Sequence, residues 1–403
     1  MQKLLSLGLT VFFSLSVFSG EANNTWIKKD IQFADKQYGL MVDNISKVQP
    51  LALPKTYNYS KQQVVYIPTD DWCSGFPAGC MWYLYNLTNK TSWKNHAEQY
   101  TLILDSIKYL TWHHDVGFMI GSSYLNGYRL GGHKEYKDVI VQTAKSLCTR
   151  FRPKAGVIQS WNTDRGWQSQ RGWKCPVIID NMMNLELLFE ATKLSGDSTF
   201  WNIAVSHANT TLKNHFRKNA SCYHVVDYDD ATGKVRRRVT AQGYADESAW
   251  ARGQAWAIYG FTVCYRYTKD SRYLDLAERT LNFVLYDKHM PKDLIPYWDY
   301  NAPEIPNEPR DVSAAACIAS ALYEMEQYAP NKGYAKIADK MMKSLSTPAY
   351  RSAIGANGCF LLMHSVGSIP HNNEIDVPLN YADYYFLEAL SRKVEATSNN
   401  MKH

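Results

Sequence analysis

No two cysteines of the 403-residue sequence stand at CxxC spacing, none precedes a histidine at CxxH spacing, and nothing spaces the 11 histidines for a metal. That pattern argues against a zinc-type site. The eight cysteines (Cys73, Cys80, Cys148, Cys175, Cys222, Cys264, Cys317 and Cys359) are scattered through apolar contexts, read as small buried residues, and reveal no disulfide pairing. Long apolar runs are lacking after residue 18, so no membrane span is expected. Charge of one sign is scarce too: the net charge is +6, and the only basic cluster is Arg236-Arg237-Arg238. This excess mildly suits an anionic substrate. It is far too weak for nucleic-acid binding, and no nucleic-acid motif accompanies it.

What the sequence does hold is a heavy aromatic load, 12 Trp and 28 Tyr, in a chain 45% hydrophobic and 20% charged. Aromatic faces bind sugar rings well, although most of these residues are expected to fill the core. Residues 1–20 read as a signal peptide: Lys3, then the apolar run Leu4 to Phe18, then small residues at Ser19-Gly20. The remainder, 21–403, is then exported across an inner membrane, with the periplasm the expected destination. No cysteine follows the apolar run, so a lipidated N-terminus is not indicated.

Five segments share one pattern, a polar turn leading into an aromatic residue with a small or aliphatic residue four positions on. They are Trp93 with Ala97, Tyr136 with Ile140, Phe200 with Ala204, Tyr273 with Ala277, and Tyr334 with Ala338. The i, i+4 spacing puts both members on one helical face. Chain-stopping residues precede four of these segments: Gly131-Gly132, Gly196-Asp197, Lys269-Asp270 and Pro330-Asn331. The whole chain divides into about twelve helices, near 28–46, 74–89, 92–110, 116–129, 134–150, 180–195, 199–217, 247–268, 272–287, 311–328, 332–346 and 380–394. Six helical hairpins fit an all-α, closed (α/α)6 barrel with alternate helices in an inner ring. A small β-hairpin, with one strand from His224 to Tyr228 and the other from Val235 to Thr240, is expected outside the repeat.

Every second helix starts after an unusual polar or aromatic cluster: "DDWCSGF" (71–76), "HHDVGF" (113–118), "VIIDNMMN" (177–184), "DESAWARGQAW" (246–256), "PRDVSAAA" (309–316) and "LNYADYY" (379–385). In antiparallel hairpins the inner helices run parallel, so these six N-termini open at one mouth, a setting that favours a bound anion. Taken alone, Asp115 is an ordinary N-cap. Asp180 changes that reading, because its apolar setting between Ile178-Ile179 and Met182-Met183 raises a carboxyl pKa. Two carboxyls in unlike surroundings at one mouth are what glycosidic acid/base chemistry requires. Arg252 and Trp256, four apart, suit a substrate carboxylate and a stacked sugar ring; the alternative is an arginine snorkelling beside core tryptophans. His224 and Gln242 flank the hairpin and overhang the mouth.

With these residues in view, the sequence resembles the unsaturated glucuronyl hydrolases of glycoside hydrolase family 88. "HHDVGF", "VIIDNMMNLELLFEA", "QGYADESAWARGQAWAIYGF" and "YADYYFLEAL" carry the resemblance, which spans about residues 28 to 395. It implies an (α/α)6 barrel in a single catalytic domain, Asp180 as general acid/base, and Asp115 as the second essential carboxylate. His224, Gln242, Arg252, Trp256 and Tyr384 match the family's substrate contacts, and so, less closely, do Trp72 and Trp161. Ser365 and Ser368 match a serine-rich loop found in members that accept sulfated sugars, but Pro370 stands where such members carry a lysine. The implied substrate is a lyase-generated glycosaminoglycan oligosaccharide with a 4,5-unsaturated uronic acid at its non-reducing end, and no cofactor is implied. Three alternatives share the barrel: an unsaturated rhamnogalacturonyl hydrolase acting on pectin fragments, an ordinary inverting glycosidase, and a non-catalytic glycan-binding toroid.

Overall fold

The computed structural model describes residues 12–49 and 51–400. Residues 1–11 of the expected signal peptide lie outside the described residues. In chain order the helices are α1 (Phe12–Val48), α2 (Phe76–Thr88), α3 (Thr91–Leu102), α4 (Val116–Ile120), α5 (Asn126–Leu130), α6 (Lys137–Cys148) and α7 (Leu185–Ser195). There follow α8 (Ser198–Asn214), α9 (Ala251–Thr268), α10 (Ser271–Tyr286), α11 (Val312–Tyr328), α12 (Tyr334–Leu345) and α13 (Asn380–Asn400). A single π-helical turn, Gly121–Leu125, joins α4 to α5, so the two form one interrupted helix.

Contacts close an inner ring in the order α2, α4–α5, α7, α9, α11, α13 and back to α2. The outer helices α1, α3, α6, α8, α10 and α12 alternate with these along the chain. Burial explains the division. In α9 every residue from Ala251 to Cys264 is buried, and in α11 every residue from Val312 to Met325, whereas α3 buries only Trp93, Ala97, Tyr100 and Thr101. A helix apolar all round belongs inside; one with a single apolar stripe belongs on the rim. The repeated aromatic and small residues form that stripe, for all ten members of the five pairs are buried.

Local chemistry starts and stops these helices. Asp197, Asp270 and Asp311 each accept a backbone N–H at the start of α8, α10 and α11. Gly196 and Lys269 end α7 and α9 in the left-handed conformation, at φ 79° and 57°. Two inner helices begin later than the sequence suggests. The Asp180 segment is a run of 3-10 turns, Ile179–Asn184, before α7. The helix expected from residue 247 starts at Ala251, because Tyr244 N and Ser248 Oγ are drawn into hydrogen bonds with the buried Asp299 carboxylate at 2.9 and 2.6 Å.

The strands are β1 (Leu53–Asn58), β2 (Gln63–Ile67), β3 (Phe151–Arg152), β4 (Val157–Ile158), β5 (Cys175–Ile178), β6 (Val225–Tyr228), β7 (Val235–Val239), β8 (Ser365–Ser368) and β9 (Asn373–Val377). The expected hairpin is β6–β7, and β5 adds a third antiparallel strand to it. The β1–β2 and β8–β9 hairpins were not anticipated. Every strand lies in a connection from an outer to an inner helix, so all of them gather at the mouth. The two ends of the chain are sewn together across the ring: Asn380 Nδ2 donates to Pro54 and Cys73 carbonyls, and Asp30 pairs with Arg351 at 2.7 Å.

Candidate active site

Asp115 sits at the N-terminus of α4 but its side chain caps nothing. That task falls to Asn184, which reaches across from the end of the Asp180 turn. Its Oδ1 accepts the N–H of Phe118 at 2.9 Å, and its Nδ2 donates to Asp115 Oδ1 at 3.3 Å. The approach depends on Gly117: a Cβ there would lie 2.5 Å from Asn184 Oδ1 and 2.6 Å from its Cα. Asp115 is thus freed from the role its position first suggests.

The histidines around the two aspartates are neutral, and backbone donors fix the proton positions of His113 and His224. His113 Nδ1 accepts the N–H of Asp115 at 3.1 Å, so its lone pair faces Asp115 Oδ2, 3.5 Å away. His114 Nε2 lies 3.3 Å from the same oxygen. Burial pushes His113 down to about 4 and His114 well below the usual range. His224 Nδ1 accepts the N–H groups of Ala241 and Gln242, both at 3.1 Å, which leaves the proton on Nε2. That nitrogen stands 3.7 Å from Asp180 Oδ2.

The two carboxyls consequently differ. Burial raises Asp180 to about 6, against the lowering influence of the Arg252 charge, its own backbone N–H and the Trp256 indole. Asp115 is raised well above the usual carboxylate range, by burial first and then by the Asp180 charge. Between the two, the influence runs from the Asp180 charge to Asp115. Asp115 faces the His113 lone pair and is the more strongly raised of the two, while Asp180 faces an N–H, so in the free enzyme the proton favours Asp115.

Arg252 is buried and already engaged. Its Nη1 donates to Asp311 Oδ2 at 3.2 Å and to the Val366 carbonyl, and its Nη2 to the Gly367 carbonyl at 2.7 Å and Gln242 Oε1 at 3.4 Å. It ties α9 to the cap of α11 and to β8, and it lends positive charge to Asp180. Trp256 offers no stacking face. It is 0% exposed, wedged against Phe118 at 5.4 Å and Tyr385 at 5.5 Å, and meets the site through its N–H edge.

Tyr384 lies deeper in the barrel. Its hydroxyl accepts from Asn126 Nδ2 at 3.1 Å, and it lines a cavity inside the barrel with Phe76, Phe118 and Glu388. The aromatic residue at the mouth is Tyr381, one helical turn earlier, 5.0 Å from Trp72 and beneath the Arg252 guanidinium at 5.4 Å. Trp72 also contacts Phe118 at 5.5 Å. Trp161 packs 6.0 Å from His224, and half-buried Gln242 bridges His224 and Arg252. Ser365 is buried in β8, and Ser368 Oγ bonds His371 Nδ1 at 2.7 Å. Asn184, Tyr381 and Asp311 are contributors that sequence reasoning passed over, although each lies in one of the quoted clusters.

Several buried polar atoms here have no hydrogen-bond partner among the described residues: Asp180 Oδ2, His224 Nε2, Trp250 Nε1, Trp256 Nε1, Tyr381 Oη and Ser365 Oγ. Such atoms are costly unless a polar ligand meets them. Among the described residues no group of three or more His, Cys, Asp or Glu is arranged to hold a metal.

A helical barrel with a buried, asymmetric carboxyl pair at its mouth defines a class of glycoside hydrolases. The model of glycosyl hydrolase family 88 matches residues 44–392, and the chain belongs to that family. It is 44% identical to an unsaturated glucuronyl hydrolase from Formosa agariphila over 396 residues, 97% of each chain. The crystal structure of an unsaturated glucuronyl hydrolase specific for heparin superposes with a TM-score of 0.88 at 42% identity, covering 93% of this chain and 98% of that one. A variant of the Streptococcus agalactiae unsaturated glucuronyl hydrolase, crystallised with the disaccharide dGlcA-GalNAc6S, superposes at 0.75 with 28% identity, covering 97% and 98%.

Proposed function

We propose that the chain releases a 4,5-unsaturated uronic acid from the non-reducing end of glycosaminoglycan fragments left by a lyase, by hydrating the C4=C5 enol ether. The observation that carries this reading is the pair of buried carboxyls, both raised, among neutral histidines. A glycan-binding toroid has no use for so costly a pair.

In the free enzyme Asp180 is the readily ionised partner. A bound uronate brings a further negative charge and displaces water, and both raise Asp180 so that it holds a proton in the complex. Asp180 delivers that proton to C4, positive charge develops at C5, and Asp180, now a base, takes a proton from the water that adds there. The hemiketal at C5 then opens and releases the remaining sugar. Once the proton shared by the pair sits on Asp180, Asp115 is left as the anion that stabilises that charge; its Asn184 hydrogen bond fixes the carboxyl plane. His224 directs its N–H at Asp180, and Trp72, Trp161 and Tyr381 wall the ring. Export is part of the proposal, on the strength of the signal-peptide pattern in residues 1–20.

The test is a mixture of the protein with an unsaturated disaccharide in heavy water. Ultraviolet absorbance of the conjugated uronate should fall, and carbon-bound deuterium should appear at C4 of the released keto acid, with a control for later enolisation. Equal cleavage of a saturated uronide without C4 deuterium would assign direct glycosidic hydrolysis instead, and unchanged absorbance would point to a binding protein.

A further inference from the structure

The loop between β4 and β5 carries three tryptophans that cluster: Trp161 lies 5.1 Å from Trp167 and 5.6 Å from Trp173, nearly parallel to the latter. Arg171 lies over this cluster, 5.5 Å from the Trp167 ring and 5.7 Å from Trp173. Its backbone is anchored, because Arg237 donates to the Arg171 carbonyl and Arg236 Nη1 to that of Gly172 at 3.1 Å. The side chain is exposed.

The neighbouring cations are all spoken for. Arg165 pairs with Asp164, Lys174 with Asp229, and Arg236 and Arg237 with Asp227, while Arg238 Nε donates to the Asn214 carbonyl. The Arg171 guanidinium has neither a carboxylate nor a hydrogen-bond acceptor among the described residues. A guanidinium resting on aromatic rings keeps its N–H edge free, and that fork matches two oxygens of one tetrahedral or planar anion.

The arginine also faces the active site. Trp161 touches His224, whose Nε2 is 3.7 Å from Asp180, and Trp167 packs 4.8 Å from His371, the partner of Ser368. Burial lowers His224 and His371, and the Arg171 charge lowers both further. One aromatic layer beyond His224 is where the sugar next to the unsaturated uronate would rest.

We propose that Arg171, set on Trp167 and Trp173 beside His371, is an anion subsite that reads a sulfate group on the sugar adjoining the unsaturated uronate. The inference rests on the function proposed above. It supplies, from a different loop, a cation where Pro370 offers none. A carboxylate on a following uronate shares the same anionic chemistry, and longer unsulfated substrates separate the two sources.

The test measures kcat/KM by absorbance for an unsulfated unsaturated disaccharide, its sulfated counterparts and an unsulfated tetrasaccharide. Wild type, Arg171→Gln, Arg171→Lys and a surface control, Arg279→Gln, are compared at low and high salt. Arg171→Gln is expected to lower the sulfated-to-unsulfated ratio about tenfold, mainly through KM. Arg171→Lys should recover part of the ratio, Arg279→Gln should leave it at the wild-type value, and in wild type it should shrink with salt. An unchanged ratio in Arg171→Gln, with unsaturated disaccharides still consumed, overturns the sulfate subsite alone. A loss confined to the tetrasaccharide overturns it in favour of a distal carboxylate. Failure of wild type to consume any unsaturated substrate overturns the functional reading, and the subsite with it.

Discussion

At the scale of single residues, one amide sets the geometry of the chemistry. Asn184 is the donor to Asp115 and the acceptor for Phe118 N at once, which a carboxylate of the same shape cannot be. Asn184→Asp keeps the acceptor and the shape but loses the donor and adds a charge beside a carboxyl already hard to ionise. We expect kcat to fall tenfold or more, with little change in thermal midpoint. The pH profile distinguishes this from loss of packing. In wild type, kcat/KM should decline above about pH 6, where Asp180 of the free enzyme gives up its proton. In Asn184→Asp the profile should shift toward higher pH, because the added anion raises the pair; a profile that merely scales down would make Asn184 a packing residue. Gly117→Ala, whose Cβ meets Asn184, should reproduce the loss of activity without the added charge.

At the scale of elements, the inner helices divide the barrel into a reactive end and a sealed end. Toward the sealed end, Arg266 pairs with Glu324 at 2.6 Å and with Glu186, Arg392 with Glu324 at 3.0 Å, and Arg129 with Glu186 at 2.8 Å and Glu190 at 3.1 Å. The guanidinium charges hold Glu186 below the usual range and Glu324 down to about 2. Glu324→Gln removes the anion shared by Arg266 and Arg392, and breaking such a buried pair costs about 3–5 kcal/mol. Equilibrium denaturation should register that loss, while kcat should stay near wild type because the chemistry is at the other end. How far these elements were legible follows from what each signal encodes. The aromatic-to-small spacing reports one helical face, so Trp93 with Ala97 and its four counterparts revealed five of the six outer helices. Asp180 stood out because its apolar neighbours are adjacent in sequence. By contrast, the β8–β9 hairpin pairs short strands with a shift in register, and its main attachment to the site is backbone carbonyls accepting from Arg252, which no side-chain pattern announces. Tyr381 and Tyr384 sit a turn apart on α13, and sequence has no means of saying which of them faces the mouth.

For the molecule as a whole, the outer ring is wired to the mouth through groups that must stay neutral. His207, on α8, accepts the N–H of Ile158 at 2.9 Å; the Ile158 carbonyl accepts from Asn181 Nδ2 at 2.7 Å, and Asn181 adjoins Asp180. Burial pushes His207 down to about 3 and His215, beside it, to about 4. An unfolded chain protonates each near 6.5. Between pH 6.5 and about 3, therefore, the unfolded state binds a proton at His207 that the folded state refuses, and this histidine's contribution to stability is lost as the pH falls. The slope for one such group is about 1.4 kcal/mol per pH unit. Asp115, Asp180 and Asp383 oppose it, because burial raises all three and the folded state then binds protons the unfolded chain releases. The wild-type curve is thus a sum of opposed terms, and the informative quantity is a difference. His207→Gln keeps an acceptor for Ile158 N and removes the titration. Its stability deficit relative to wild type, measured by urea unfolding at a series of pH values, should be largest near pH 7 and shrink by about 1.4 kcal/mol per unit below pH 6.5. A deficit constant with pH would mean that His207 titrates alike in both states, and that the link from α8 to the Asp180 turn tolerates a charge.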